Sequence, residues 1–136
     1  MAHNAQFADN SVDVAVDAMA ALCNGGYIKL YTANQPVDAN TSLAGQTLLA
    51  TLRFGATAFQ SAVAGVATAN TIAQDSDAAV TGTAAWFRVL KSDNSTVVFD
   101  GSIGTTSDFD MVIATTSIVQ HAIVTCSLLT LKLSES

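Results

Sequence analysis

The chain has 136 residues and few charges: Asp, Glu, Lys and Arg make up only 12% of it, against about 25% in an average soluble protein. Only five residues are basic, Lys29, Arg53, Arg88, Lys91 and Lys132, and they are scattered along the chain. With a net charge of −6 and no basic cluster, the phosphate-neutralising face that nucleic-acid binding requires is missing. Cysteine is scarce too. Cys23 and Cys126 are too few for a disulfide framework and lack the paired spacing of a zinc site. Two reduced, buried thiols are expected, and a single bridge between them stays open. Long apolar runs are also lacking, although half of the residues are hydrophobic. Thr, Asn, Asp or Gly interrupts them every few residues, short of the ~20 that a membrane-spanning helix needs. Met1 to Phe7 has neither a basic start nor an apolar segment, so no secretory signal is expected.

What is present reads as one domain with an N-terminal extension. Residues 1–10 hold polar side chains around a lone Phe7 and predict an extended arm; residues 11–136 form a single β-rich domain. Val12, Val16, Met19, Ala20 and Cys23 recur at helical spacing, with Asp13 and Asp17 on the opposite face, so an amphipathic helix is predicted over about 11–23. Asn10 or Ser11 would cap it, and Asn24-Gly25-Gly26 would stop it.

Beyond Gly26 the period changes to two. Alternation predicts strands over 27–33, 47–54, 66–73, 83–91, 96–100 and 109–114. Ser92-Asp93-Asn94-Ser95 is predicted as a hairpin loop. Residues 117–133 predict a strand pair or one long bent strand, with a bulge near Ser127 where the alternation slips. Strands at this spacing predict a mainly β fold, an antiparallel sandwich or small barrel with one short helix covering an open side or edge.

No constellation of catalytic residues stands out. The only histidines are His3 and His121, and no serine sits in a G-x-S-x-G elbow. Asp75 with Asp77, and Asp108 with Asp110, are paired carboxylates that read as solvated turns. Asp75-Ser76-Asp77 opens like a calcium loop, but the downstream Gly and Glu are missing. No cofactor is expected, and no enzymatic activity. Trp86, Phe87, Tyr27 and Tyr31 offer one functional aromatic reading, stacking on a glycan, set against packing in the sheet core. The polar coverage is mainly Ser, Thr, Asn and Gln, short side chains that can be buried against another protein without stranding charge.

The segments Gly26-Tyr27-Ile28-Lys29-Leu30-Tyr31, Leu48-Leu49-Ala50-Thr51-Leu52, Gly65 to Asn70 and above all Thr81-Gly82-Thr83-Ala84-Ala85-Trp86-Phe87-Arg88 resemble a family of small structural proteins of tailed bacteriophages and prophages. The resemblance covers roughly residues 12–133. It implies a virion component made in the host bacterial cytoplasm, and most commonly a capsid decoration (cement) protein on the capsid exterior. Such a protein sits as a homo-oligomer, a trimer, over the shell and clamps adjacent capsomers of the major capsid protein, with no nucleic acid or membrane as partner. The alternatives are a tail, neck or baseplate component, or a glycan-binding module displayed on the virion. In this reading Phe7 anchors the arm, Ala2 to Asp9 adds as a strand to a neighbouring sheet edge, and Arg53 and Arg88, where exposed, are the interface cations.

Overall fold

A computed structural model of the protein describes residues 4–133. It is mainly β with one short helix, and its principal sheet curls into a half-barrel. The elements are α1 (Asp9–Ala21), β1 (Tyr27–Tyr31), β2 (Leu48–Phe54), β3 (Val66–Thr68), β4 (Ile72–Ala73), β5 (Gly82–Thr83), β6 (Trp86–Leu90), β7 (Val97–Gly104), β8 (Met111–Ile113), β9 (Ser117–Ile118) and β10 (Cys126–Lys132). Eight strands form one sheet in the order β3-β10-β8-β7-β6-β1-β2-β4, while β5 and β9 pair separately.

The helix starts and ends two residues earlier than its apolar period predicts. Neither Asn10 nor Ser11 caps it. The cap is Ala8, in extended conformation and with no side-chain hydrogen bond; its carbonyl accepts from Ser11 and Val12. Leu22, Cys23 and Asn24 donate to carbonyls three residues back, which tightens the last turn and ends the α-helix at Ala21. Gly25, at φ +65°, then takes the left-handed turn that glycine adopts without strain. The arm therefore ends at Ala8. Its first three residues, His3 included, lie outside the described residues.

Val12, Val16 and Ala20 are the buried stripe of α1, and the helix packs on β3 and β10. Asp13 and Asp17 on the other face are structural. Asp13 Oδ1 accepts from the Gly65 amide at 2.7 Å and Asp17 Oδ1 from the Ala62 amide at 2.7 Å, so two carboxylates bind the turn before β3 to the helix.

Across the sheet centre, β6 is buried at every position. Phe87 and Val89 join Ile28, Leu30, Leu52, Ile103 and Met111 in the main core. The hairpin β6–β7 forms as predicted around Asn94, with a bulge between Val89 and Leu90. Gly101 lies opposite Phe87, and a Cβ there would come within 2.4 Å of the buried ring. The predicted bulge in the last strand lies between Cys126 and Leu128.

Three features depart from the predicted all-antiparallel arrangement. First, β8 runs parallel to β7; Asp110 at its start accepts from both the amide and the hydroxyl of Ser102 at 3.0 Å. That contact is half-buried, so Asp110 is no solvated turn residue. Second, residues 117–133 form neither a strand pair nor one bent strand: β9 pairs β5, and β10 pairs β3 and β8. Third, the strand predicted over 66–73 is split between the sheet's two ends. Its first half, β3, pairs with β10, and its second half, β4, pairs with β2.

Residues 69–71 thus span from one edge of the curled sheet to the other. Past them the wall is incomplete. Residues 69–75 run antiparallel to 124–129 and bond at both ends, Ala69 to Leu129 and Asp75 to Val124. No backbone bond between these segments joins them in between, which leaves a polar slit of about 380 Å³ lined by Asn70, Thr71, Ser127 and Gln60 among others.

Candidate functional site

The outer face of the sheet centre carries a second, smaller buried cluster. Tyr31 stacks on Trp86 with ring centroids 4.8 Å apart, and the Arg88 guanidinium lies over the Trp86 ring at 5.4 Å. Register sets these contacts, since Tyr31 is opposite Trp86 in β1–β6 and Arg88 opposite Asp100 in β6–β7. The Arg88–Asp100 pair is doubly bonded, Nε to Oδ1 at 2.7 Å and Nη2 to Oδ2 at 2.9 Å. The bond to Asp100 holds the guanidinium above its usual pKa, and burial raises the Tyr31 hydroxyl.

A long loop, residues 32–47, covers this cluster. Its ends are tied where the Thr32 amide donates to the Thr47 carbonyl and the Thr47 amide to Thr32 Oγ1. Arg88 Nη2 donates to the Thr41 carbonyl at 2.8 Å, and Trp86 Nε1 to the Thr32 carbonyl at 3.2 Å. Gln46 Nε2 reaches the Asn34 carbonyl, and Asp38 Oδ1 accepts from Asn40 and Thr41. A compact loop with joined ends, packed by its own side chains, is the form that functional surface loops often take. It holds Val37 92% exposed and leaves Leu43 exposed as well.

Next to the loop base lies an apolar groove. Gly82 packs against Thr32 and Leu49 and pairs with Ile118, which brings residues 113–125 beside the loop. The groove encloses about 270 Å³. Ile113, Ile118 and Val124 are buried in its floor, and Val119 and Ile123 stand out at 57% and 62% exposure. None of its lining residues is charged.

The sequence-based candidates fall in separate places. Arg88 is 6% exposed and locked to Asp100, so it is not an interface cation; its role is to pin the loop. Arg53 is exposed, with its guanidinium 4.5 Å from the Tyr27 ring, and remains available. Phe7 is 64% exposed, just ahead of α1. Trp86 is fully buried and presents no face to a sugar, which removes the aromatic stacking reading based on it. Phe87 is buried in the main core.

Asp75 is half-buried, with Oδ2 accepting from the Thr51 amide at 2.8 Å, so it too is structural. Asp77 and His121 form an exposed pair at 2.6 Å. Cys23 and Cys126 are free thiols; burial pushes Cys23 up to about 12 and Cys126 to about 11. Among the described residues no group of three metal-ligating side chains occurs, and no helix is long and apolar enough to cross a membrane.

Sequence reasoning missed the loop and its anchor Asp100. The hairpin loop 92–95 alone would set residue 99 opposite residue 88; the bulge between Val89 and Leu90 moves Asp100 into that place, so the pairing of acid and arginine was not readable from the loop. Nothing in the sequence marked Thr41 or Thr32, which act through backbone carbonyls. Comparison with known proteins gives no match among family models, curated proteins or solved structures.

Proposed function

We propose that the chain is a bacteriophage virion structural protein without catalytic activity, of the capsid decoration type, that binds the outer face of the shell and ties adjacent capsomers together. The observation that carries this reading is the anchored loop 32–47. An apolar side chain held out in water by a pinned loop gains nothing for the isolated fold, whereas a pre-ordered apolar contact point lowers the entropy cost of docking. Support also comes from the charge-poor surface, which can be buried without stranding ions, and from the family resemblance of residues 81–88. In this reading Val37 and Leu43 meet the major capsid protein, and Arg53 supplies a cation at the rim. Each contact is modest, and repetition around a trimer makes it avid.

The test is binding of the purified chain to heads stripped of accessory proteins, with imaging of the added density and a copy count. Hundreds of copies in threes over the shell support the reading. A small fixed number at one vertex or along the tail moves the assignment to a tail, neck or baseplate component. Val37→Asp is expected to weaken head binding roughly tenfold or more, equivalent to ~1.4 kcal/mol, while the melting temperature stays unchanged. Undiminished binding would separate the loop from the contact.

A further inference from the structure

The turn that follows α1 is chemically distinctive. The chain has seven asparagines, and Asn24 alone is followed by glycine. A glycine has no side chain to hinder its main-chain nitrogen from approaching the side-chain carbonyl of the residue before it. Asn24 is exposed to water, yet both groups that would meet are held. Its Oδ1 accepts from the Ala58 amide at 2.8 Å, and the Gly25 amide donates to the Gly55 carbonyl at 2.8 Å. A third bond, from the Phe54 amide to the Gly26 carbonyl at 3.0 Å, completes a clasp between residues 24–26 and 54–58.

We infer that Asn24 is a site of spontaneous deamidation, guarded in the closed fold and released when the clasp opens. Base removes the Gly25 amide proton, and that nitrogen attacks the side-chain carbonyl carbon of Asn24. The new C–N bond closes a five-membered succinimide, and the side-chain nitrogen takes up a proton and leaves as ammonia. Water then opens the ring at either carbonyl, giving aspartate or isoaspartate with one added negative charge. In the closed clasp the attacking nitrogen is bonded through its proton to Gly55, and the side-chain carbonyl is committed to Ala58. The two products differ in what they do to the fold. Aspartate keeps an oxygen for the Ala58 amide but sets a negative charge just past the C-terminal end of α1, where the helix dipole disfavours it. Isoaspartate also lengthens the main chain by one carbon between residues 24 and 25. Gly26 is poorly placed to absorb that shift, since even a Cβ there would overlap the Leu90 carbonyl oxygen.

This chemistry needs no partner, so it is tested on the full purified chain and stands apart from the assembly reading. The chain is held at mildly alkaline pH, native and in denaturing urea, and each asparagine is followed by peptide mass mapping. Conversion of Asn24 is expected to be roughly tenfold or more faster in urea than in the native chain, and in urea to outpace the other six asparagines. At urea concentrations below the unfolding transition its rate is expected to rise in step with deuterium exchange of the Gly25 amide. The isoaspartyl form, separated by its charge and chromatographic retention, is expected to melt below the Asn24→Asp variant, which itself melts below the unmodified chain. Equal rates in the native and unfolded chain overturn the guarding clasp. An Asn24 that reacts in urea no faster than the other asparagines overturns the site, and an isoaspartyl form as stable as Asn24→Asp overturns the account of the lengthened main chain.

Discussion

Arg88 illustrates how a single side chain acquires a different role once its neighbours are known. It joins a β-hairpin, an aromatic ring and a loop carbonyl, all out of water. Removing it strands a buried carboxylate, so Arg88→Met is expected to cost about 3–5 kcal/mol, read as a lowered urea midpoint. Arg88→Met with Asp100→Leu is expected to regain much of that, because replacing both partners removes the uncompensated charge. The thiols form the second residue-scale case. With Cys126 at about 11, only about one in a thousand is thiolate at roughly pH 8, and Cys23 at about 12 is lower still. Alkylation of the folded chain is therefore expected to be slow, Cys126 before Cys23. The linkage has a definite sign: the unfolded thiols ionise near 9.0, below the folded ones, so the unfolded state holds fewer protons above that pH. Stability is thus expected to fall as pH rises from about 9 toward 12, and Cys126→Ala to flatten part of that slope in alkaline denaturation curves.

Among the elements, α1 depends on its polar face as much as on its apolar one. Asp13→Ala removes the acceptor of a half-buried amide and is expected to cost about 1–3 kcal/mol in chemical denaturation, more than the ~0.5 kcal/mol typical of a surface change. The helix itself was legible, since Val12, Val16 and Ala20 fall on one stripe. Its boundaries were not, because Ala8 caps through its backbone alone. Strands β1, β2 and β6 were legible from alternation, and the bulge at Cys126–Leu128 from the slip in that alternation. The splitting of 66–73 was not, because both halves keep the same period and only their distant partners differ. The parallel β7–β8 pair was equally hidden, since the Ser102–Asp110 bonds that fix it look in sequence like ordinary turn chemistry. As for the surface, its uncharged character was readable from composition. The loop that organises it depends on a register and on two carbonyls, and no side-chain type marks a carbonyl.

At the scale of the whole molecule, the sheet is strong at its centre and open at one seam. The amides of Thr71, Gln74 and Thr125 have no backbone partner along the slit. They are expected to exchange with deuterium far faster than those of β1 and β6, where the ladder is continuous and buried. Uniform protection across 69–75 and 124–129 would show that the seam is closed in solution.

The linking of the sheet's edges bears on solubility at high concentration. A β protein with little charge risks joining copies strand by strand, because an exposed edge offers a row of unpaired backbone groups. Here β3 is covered along its outer side, where the Gln60 amide donates to the Thr68 carbonyl and Phe59 bridges to Ala69. At the opposite end β4 is only two residues long. With little free edge on the principal sheet to template a neighbour, strand-by-strand joining is limited by geometry, where other proteins rely on electrostatic repulsion.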